Sequence, residues 1–319
     1  MRKIIHIGIQ SQMNGSSYQD TQNQRTYFTL SVFSIGHVIT MKIKMKYWLM
    51  VFLACAVLQP VHALSIDKSL PEGKIRIHVP DQLGTQCTAI LLGVGTAMSA
   101  SGYDKLSNAI NQHGHIVVIL DHAPGKLMKT DAGKFAALAQ RIKDDLLSWM
   151  SETPCNGIQH WIMGGHSAGG QAAQNAVANN TGLADGIFSI DPYNGKDTDR
   201  VSVPAMYWGF NKTTCFVTAD DAAKETYKRS DDRRAFYQVN SKYSWGPCGY
   251  SPKYFHCSFC DGHCPACTNC KTTPDHFFVD VANSVDRFIQ HGFSASWSHA
   301  NMTFNSTTPY RLFMDHEQP

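Results

Sequence analysis

Gly165-His166-Ser167-Ala168-Gly169 sets a serine between two glycines in the pattern Gly-x-Ser-x-Gly. Five residues of this kind recur by chance, so their meaning rests on their setting. An apolar stretch, His160 to Met163, runs into the pattern, and an alanine-rich segment of helical character, Gln171 to Asn179, leaves it. Strand, sharp turn and helix in that order expose a nucleophilic hydroxyl at the end of a sheet and aim the next backbone N–H, that of Ala168, at a developing oxyanion. A glycine-rich turn with a bystander serine is the plainer reading of the same residues.

A serine hydroxyl attacks poorly until a base takes its proton, and the base needs a third group to fix its tautomer. On a sheet of this kind the chain order is serine, acid, histidine. The first acid at a strand end after Ser167 is Asp191, in Phe188-Ser189-Ile190-Asp191-Pro192. Asp220 and Asp221 are its rivals, whereas the following apolar run, Val203 to Phe210, ends in Asn211 without a carboxylate. An aspartate before proline is also a common turn residue. The base is expected at His276, in Pro274-Asp275-His276-Phe277, where a loop enters the last helix. His256, His263, His291 and His299 read instead as structural or surface groups, and His166 as a shaper of the serine turn. A second oxyanion donor belongs in the loop after Thr88 to Gly93, at Gly95, with Val94 or Thr96 one position to either side. Each such N–H contributes ~3 kcal/mol to transition-state stabilisation.

These groups need a frame, and the chain supplies alternating apolar runs and helical segments. Strands are expected at Ile75 to Val79, Thr88 to Gly93, Ile116 to Leu120, His160 to Met163, Gly186 to Ile190, Val203 to Phe210 and Arg234 to Val239. Helices are expected over Asp104 to His113, Lys134 to Met150, Gln171 to Asn179 and Phe277 to Ile289. In the second of these, Phe135, Leu138, Ile142, Leu146 and Met150 recur at helical spacing. Unbroken apolar strands alternating with helices imply an α/β fold: a mostly parallel central sheet covered on both faces. The regularity fails over residues 243–273, a cysteine-rich insertion before the last helix.

At 319 residues the chain has room for one large α/β domain. A formal charge of +3, with Lys and Arg scattered, gives no support to nucleic-acid binding. Met41, Lys42, Lys44 and Lys46 precede the apolar run Trp48 to Leu58, and a small residue, Ala63, follows. That order reads as a secretory signal over residues 41–63, and its apolar run is well short of the roughly 20 residues a spanning helix needs. A membrane anchor is the other reading of this run. Residues 1–40 then read as a non-native or disordered extension, and residues 64–319 as the catalytic domain.

Past Ala63 nine cysteines remain, at positions 87, 155, 215, 248, 257, 260, 264, 267 and 270. Export makes disulfides the default, and an odd number leaves one thiol over. Cys155 is expected to pair with Cys87 or Cys215, since connectivity is not fixed by spacing. The close spacing of Cys257, Cys260, Cys264, Cys267 and Cys270, beside His256 and His263, also suits zinc, but secretion favours bridges and no metal is expected. Sequons at Asn179, Asn211, Asn301 and Asn305 agree with a secretory route.

Gly-His-Ser-Ala-Gly-Gly, then Ile-Asp-Pro, then a late Asp-His-Phe-Phe resembles the chlorophyllase branch of the α/β-hydrolases, and is similar to polyester hydrolases and platelet-activating-factor acetylhydrolases. The resemblance spans roughly Lys74 to Ile289 and departs at the cysteine-rich insertion. It implies the α/β-hydrolase fold, with Ser167, Asp191 and His276 as triad and Gly95 with Ala168 as oxyanion donors. With the leader at residues 41–63 it gives a secreted serine hydrolase, free of cofactor, expected to act on a small-molecule or lipid-like ester with a bulky apolar part. Met98, Tyr103, Met128, Trp208, Tyr243, Trp245, Tyr250 and Tyr254 are candidates to line the cleft. A catalytically inactive binding protein on the same scaffold, or an acyltransferase or peptidase, are the other readings. Oligomeric state is not legible.

Overall fold

A computed structural model describes residues 7–10, 27–34, 37–44, 64–84, 86–121, 131–150, 155–193, 198–210, 221–230, 233–239, 243–246, 249–252, 256–261, 273–291 and 310–314. The chain divides into two units, Met1–Val61 and His62–Pro319.

In the first unit, β1 (Ile7–Gln10), β2 (Tyr27–Ser34) and β3 (His37–Lys44) form a three-stranded antiparallel sheet. Strands thus occupy part of the region expected to be a disordered extension. Alternation in Thr29, Leu30, Ser31, Val32 and in Thr40, Met41, Lys42, Ile43, Lys44 suits paired strands. The basic residues Lys42 and Lys44, expected to head a leader, lie in β3, and the apolar run after them falls outside the described residues.

The second unit is built on a nine-stranded sheet. Its strands are β4 (Leu64–Leu70), β5 (Gly73–Val79), β6 (Thr88–Gly93), β7 (Ile116–Asp121), β8 (His160–His166), β9 (Gly186–Ile190), β10 (Ala205–Phe210), β11 (Arg234–Val239) and β14 (Tyr310–Met314). Across the sheet the order is β14-β11-β10-β9-β8-β6-β7-β5-β4. From β7 to β11 every neighbouring pair is parallel, while β4, β5 and β14 pair antiparallel at the two edges. A separate two-stranded hairpin joins β12 (Tyr243–Gly246) and β13 (Gly249–Pro252) within the cysteine-rich region.

All six residues of β6 and all five of β9 are buried. Because side chains alternate across a strand, each strand feeds two cores. Ile90, Leu92, Phe188 and Ile190 enter the layer that holds α1 (Asp104–Asn111) and α5 (Asp275–His291). Ala89, Leu91, Met163 and Ile187 enter the opposite layer, with α2 (Ala132–Trp149), α3 (Ala168–Asn179) and α4 (Ala222–Tyr227). Helices therefore cover both faces, as the unbroken apolar strands require.

Helix α2 begins where the Asp131 carboxylate accepts the Lys134 N–H at 3.0 Å, a cap that contributes about 1 kcal/mol. Its Phe135, Leu138, Ile142 and Leu146 are fully buried, each contributing about 1.5–3 kcal/mol. Helix α3 packs closer to the sheet because it is made of small residues: Ala172, Ala173 and Ala176 are buried, and a methyl group on Gly169 would overlap the backbone of Gly93. Strands β4 and β14, helix α4 and the hairpin β12-β13 lie where the sequence pattern predicts no element. Edge strand β4 begins at Leu64, directly past the expected leader, and β14 pairs with β11 in what reads as a polar tail.

The Cys87–Cys155 disulfide is formed, with Cα atoms 6.2 Å apart, and fastens the start of β6 to the segment before β8. Cys257 is also in a disulfide, and Cys260 is a buried thiol. Among the described residues no helix is long and apolar enough to cross a membrane, and no group of three or more His, Cys, Asp or Glu side chains is disposed to hold a metal ion.

Candidate active site

Strands β8 and β9 run parallel with His166 opposite Ile190, so the next residues, Ser167 and Asp191, leave the sheet side by side at its carboxyl edge. Both turn sharply. Ser167 has φ 55° and ψ −124°, and Asp191 has φ 42°, conformations that cost about 1–3 kcal/mol each in a non-glycine residue. The surroundings enforce them: the Ser167 N–H donates to the Ile190 carbonyl at 3.1 Å, the Asp191 N–H donates to the Trp208 carbonyl at 2.6 Å, and the Ser167 carbonyl accepts the Tyr193 N–H at 2.9 Å. Ser167 is 2% exposed and heads α3, whose first amide is that of Ala168.

The histidine on Asp191 is His256. Its Nδ1 lies 2.6 Å from Asp191 Oδ2, and both residues are buried. His276, expected in this place, stands instead on the exposed side of the first turn of α5. The correction has a packing cause. In α5 it is Phe277, Phe278 and Val281 that face the sheet, and residue 276 is carried to the other side of the helix.

His256 opens a short 3-10 turn, His256–Phe259, inside the cysteine-rich insertion. Phe259 is fully buried against Phe210 and Phe277, with ring centroids 5.4 and 5.1 Å away. At the end of the segment Asp261 accepts the Lys105 N–H at 2.6 Å and donates its own N–H to the Gly102 carbonyl at 2.7 Å, which pins the insertion to the start of α1. Burial raises the Asp261 carboxyl to about 6. The insertion thus lays its His256 on the sheet edge rather than hanging outside the domain. The signal for it in the sequence is Phe259, an apolar aromatic among the cysteines, which mask it.

Burial also holds the imidazole of His256 well below its ordinary pKa, so the resting ring is neutral. A neutral ring with Nδ1 on a carboxylate carries its proton there, which leaves the Nε2 lone pair to accept one.

The loop after β6 is the second wall of the site. A Cβ added to Gly95 would sit 3.0 Å from His166 Nδ1 and 3.3 Å from Ser167 Cβ, so a side chain here would press on both. The Gly95 amide, the expected oxyanion donor, is turned away and donates to the Tyr103 hydroxyl at 2.9 Å. The Val94 amide donates to the Leu120 carbonyl at 3.2 Å. Met98 N–H closes a turn onto the Gly95 carbonyl at 3.1 Å, with Ala97 at φ 58°. The Thr96 and Ala97 N–H groups make no hydrogen bond among the described residues, and of the two residues Thr96 is the buried one. The Thr96 amide, unlike that of Gly95, is not taken up by Tyr103.

Other expected residues fall elsewhere. Asp221 begins α4 in the left-handed region and its carbonyl accepts the Glu225 N–H, a helix start rather than a site group. Trp208 is a core residue, stacked on Tyr237 at 4.7 Å with its Nε1 donating to Ser284 Oγ at 2.9 Å. Met98 packs against the same core. His291 is exposed at the end of α5. Asp220, His263, His299 and Met128, and the side chains of Tyr243, Trp245, Tyr250 and Tyr254, lie outside the described residues.

Neither a protein-family model nor a curated protein sequence matches this chain.

Proposed function

We propose that the chain is a serine hydrolase of the α/β-hydrolase fold that cleaves carboxylic esters, with Ser167 as nucleophile, His256 as base and Asp191 as the group that orients the base. The observation that carries this reading is the 2.6 Å bond from His256 to Asp191, made beside the strained Ser167 turn at the carboxyl edge of a mostly parallel sheet. Ser167 and Asp191 follow neighbouring parallel strands and His256 bonds Asp191 from a separate part of the chain, which supports the reading.

In the proposed reaction Ser167 Oγ attacks the ester carbonyl while Nε2 of His256 takes its proton. The amides of Ala168 and Thr96 receive the oxyanion. Collapse of the tetrahedral intermediate expels the alcohol, which takes the proton back from His256. Water, activated by the same imidazole, then releases the acid and regenerates Ser167. Asp191 keeps the proton of the resting imidazole on Nδ1 and stabilises the imidazolium formed in each half-reaction. No metal or cofactor enters these steps. The substrate class, a small-molecule or lipid-like ester with a bulky apolar part, follows from the resemblance to the chlorophyllase branch. Secretion is supported by the Cys87–Cys155 and Cys257 disulfides, which belong to an oxidising compartment.

Hydrolysis of a nitrophenyl ester by the wild type and by Ser167→Ala tests the reading. Turnover by the wild type and its loss in the variant, by several orders of magnitude, are expected. A wild-type protein that binds the ester without cleaving it points instead to an inactive binding scaffold.

A further inference from the structure

A buried chain of hydrogen bonds connects the two walls of the site. The Gly95 N–H meets the Tyr103 hydroxyl at 2.9 Å, that hydroxyl meets His166 Nδ1 at 2.8 Å, and His166 Nε2 meets the backbone carbonyl of His256 at 2.9 Å. The end groups fix its direction. An amide N–H only donates and a carbonyl only accepts, so Tyr103 accepts from Gly95 and donates to Nδ1, and Nε2–H donates to His256. One tautomer of a neutral His166 satisfies every link. Tyr103 and His166 are 2% and 1% exposed, so water is no substitute for either partner.

The two residues at its ends are the ones the ester reaction needs in register. Gly95 precedes the Thr96 amide, and His256 carries the proton-accepting ring. Each is held twice: Gly95 by its N–H and by the Met98 N–H on its carbonyl, His256 by its ring on Asp191 and its carbonyl on His166. The His166 ring also lies 4.5 Å from that of His256 and 6.0 Å from Phe259, with Cys260 Sγ 3.6 Å from Nδ1. His166 thus sits where the nucleophile turn, the oxyanion loop and the insertion meet.

Resting on the serine-hydrolase reading, we propose that Tyr103 and His166 are positioning residues that set the oxyanion loop against the segment bearing the base. Their contribution is alignment in the transition state, not binding of the ester. A displacement of about 1 Å at a reacting group costs up to about 100-fold in rate.

The test measures kcat, KM and thermal midpoint for Tyr103→Phe, His166→Leu and His166→Gln on a nitrophenyl ester. Tyr103→Phe keeps the ring and removes the hydroxyl; a fall in kcat of about 10- to 100-fold with KM within about twofold is expected. His166→Gln restores an N–H donor toward the His256 carbonyl, and is expected to recover at least about tenfold in kcat over His166→Leu. Should Tyr103→Phe not fold, the glutamine and leucine pair at position 166 decides. The relay is refuted if folded Tyr103→Phe matches the wild-type kcat, if the loss appears in KM alone, or if glutamine recovers nothing over leucine. A wild type without turnover defeats the enzyme reading itself, whereas an active wild type with a fully active Tyr103→Phe defeats only the relay.

Discussion

Asp191 Oδ2 lies 2.6 Å from His256 Nδ1, and neither residue is more than 1% exposed. A carboxylate removed from water this completely is costly without a donor, and His256 is the donor the fold brings to it. Loss of that partner acts on chemistry more than on binding. Asp191→Asn presents the wrong group to Nδ1 and favours the wrong tautomer, so kcat on a nitrophenyl ester is expected to fall by about 10⁴. Asp221→Asn, at the start of α4, is expected to leave the rate within about twofold, since asparagine also adopts the left-handed backbone found there and the residue stands outside the proposed triad. Steady-state kinetics on the two variants separate them.

The histidines divide in the same way. His256→Ala removes the proposed base and is expected to reduce turnover by several orders of magnitude, as losses of one member of such a set do. His276→Ala, on the exposed side of α5, is expected to keep near wild-type turnover. A reversal of the two results assigns the base to His276.

The difference between these two histidines shows what a linear sequence carries. Strands β6, β9 and β11 coincide with their expected limits, because unbroken apolar runs bounded by polar or turn residues are a local signal. The places of Ser167 and Asp191 at strand ends are legible for the same reason: each directly follows such a run. His256 is placed by long-range contacts, namely Phe259 in the core and Asp261 on α1, and spacing along the chain does not encode them. The Gly95 amide shows a finer limit. Its loop lies against Ser167 as expected, but a hydroxyl eight residues on, in Tyr103, decides which way the amide points.

Stability is expected to fall with acid. Burial lowers the pKa of His256, His166 and His78. These rings stay neutral in the fold, while the unfolded chain protonates them near pH 6.5, so the unfolded state binds more protons and stability drops as pH falls through that value. Each such histidine contributes a slope of up to about 1.4 kcal/mol per pH unit below it. Asp261, raised to about 6, opposes this with a single proton. Urea unfolding is therefore expected to show lower stability at pH 5.5 than at pH 7.5; an equal or higher midpoint at pH 5.5 contradicts the burial of neutral histidines.

The Cys87–Cys155 bridge closes a separation of 68 residues, for which loop-closure entropy gives about 4 kcal/mol. Cys155→Ser is expected to lower the unfolding free energy by about that amount. Thiol mapping of denatured, non-reduced protein is expected to find one thiol among residues 64–319, at Cys260, and unchanged activity after treatment with a chelator. Stoichiometric zinc with several reduced cysteines contradicts this.

The most direct measurement is covalent. A fluorophosphonate reacts with a serine only where a base and an oxyanion site activate it. Incubated with the wild type and digested to peptides, it is expected to leave one adduct, on Ser167, at a rate reduced by orders of magnitude in His256→Ala and kept in His276→Ala. No adduct on Ser167, or an adduct on another serine at the same rate in both histidine variants, contradicts the account.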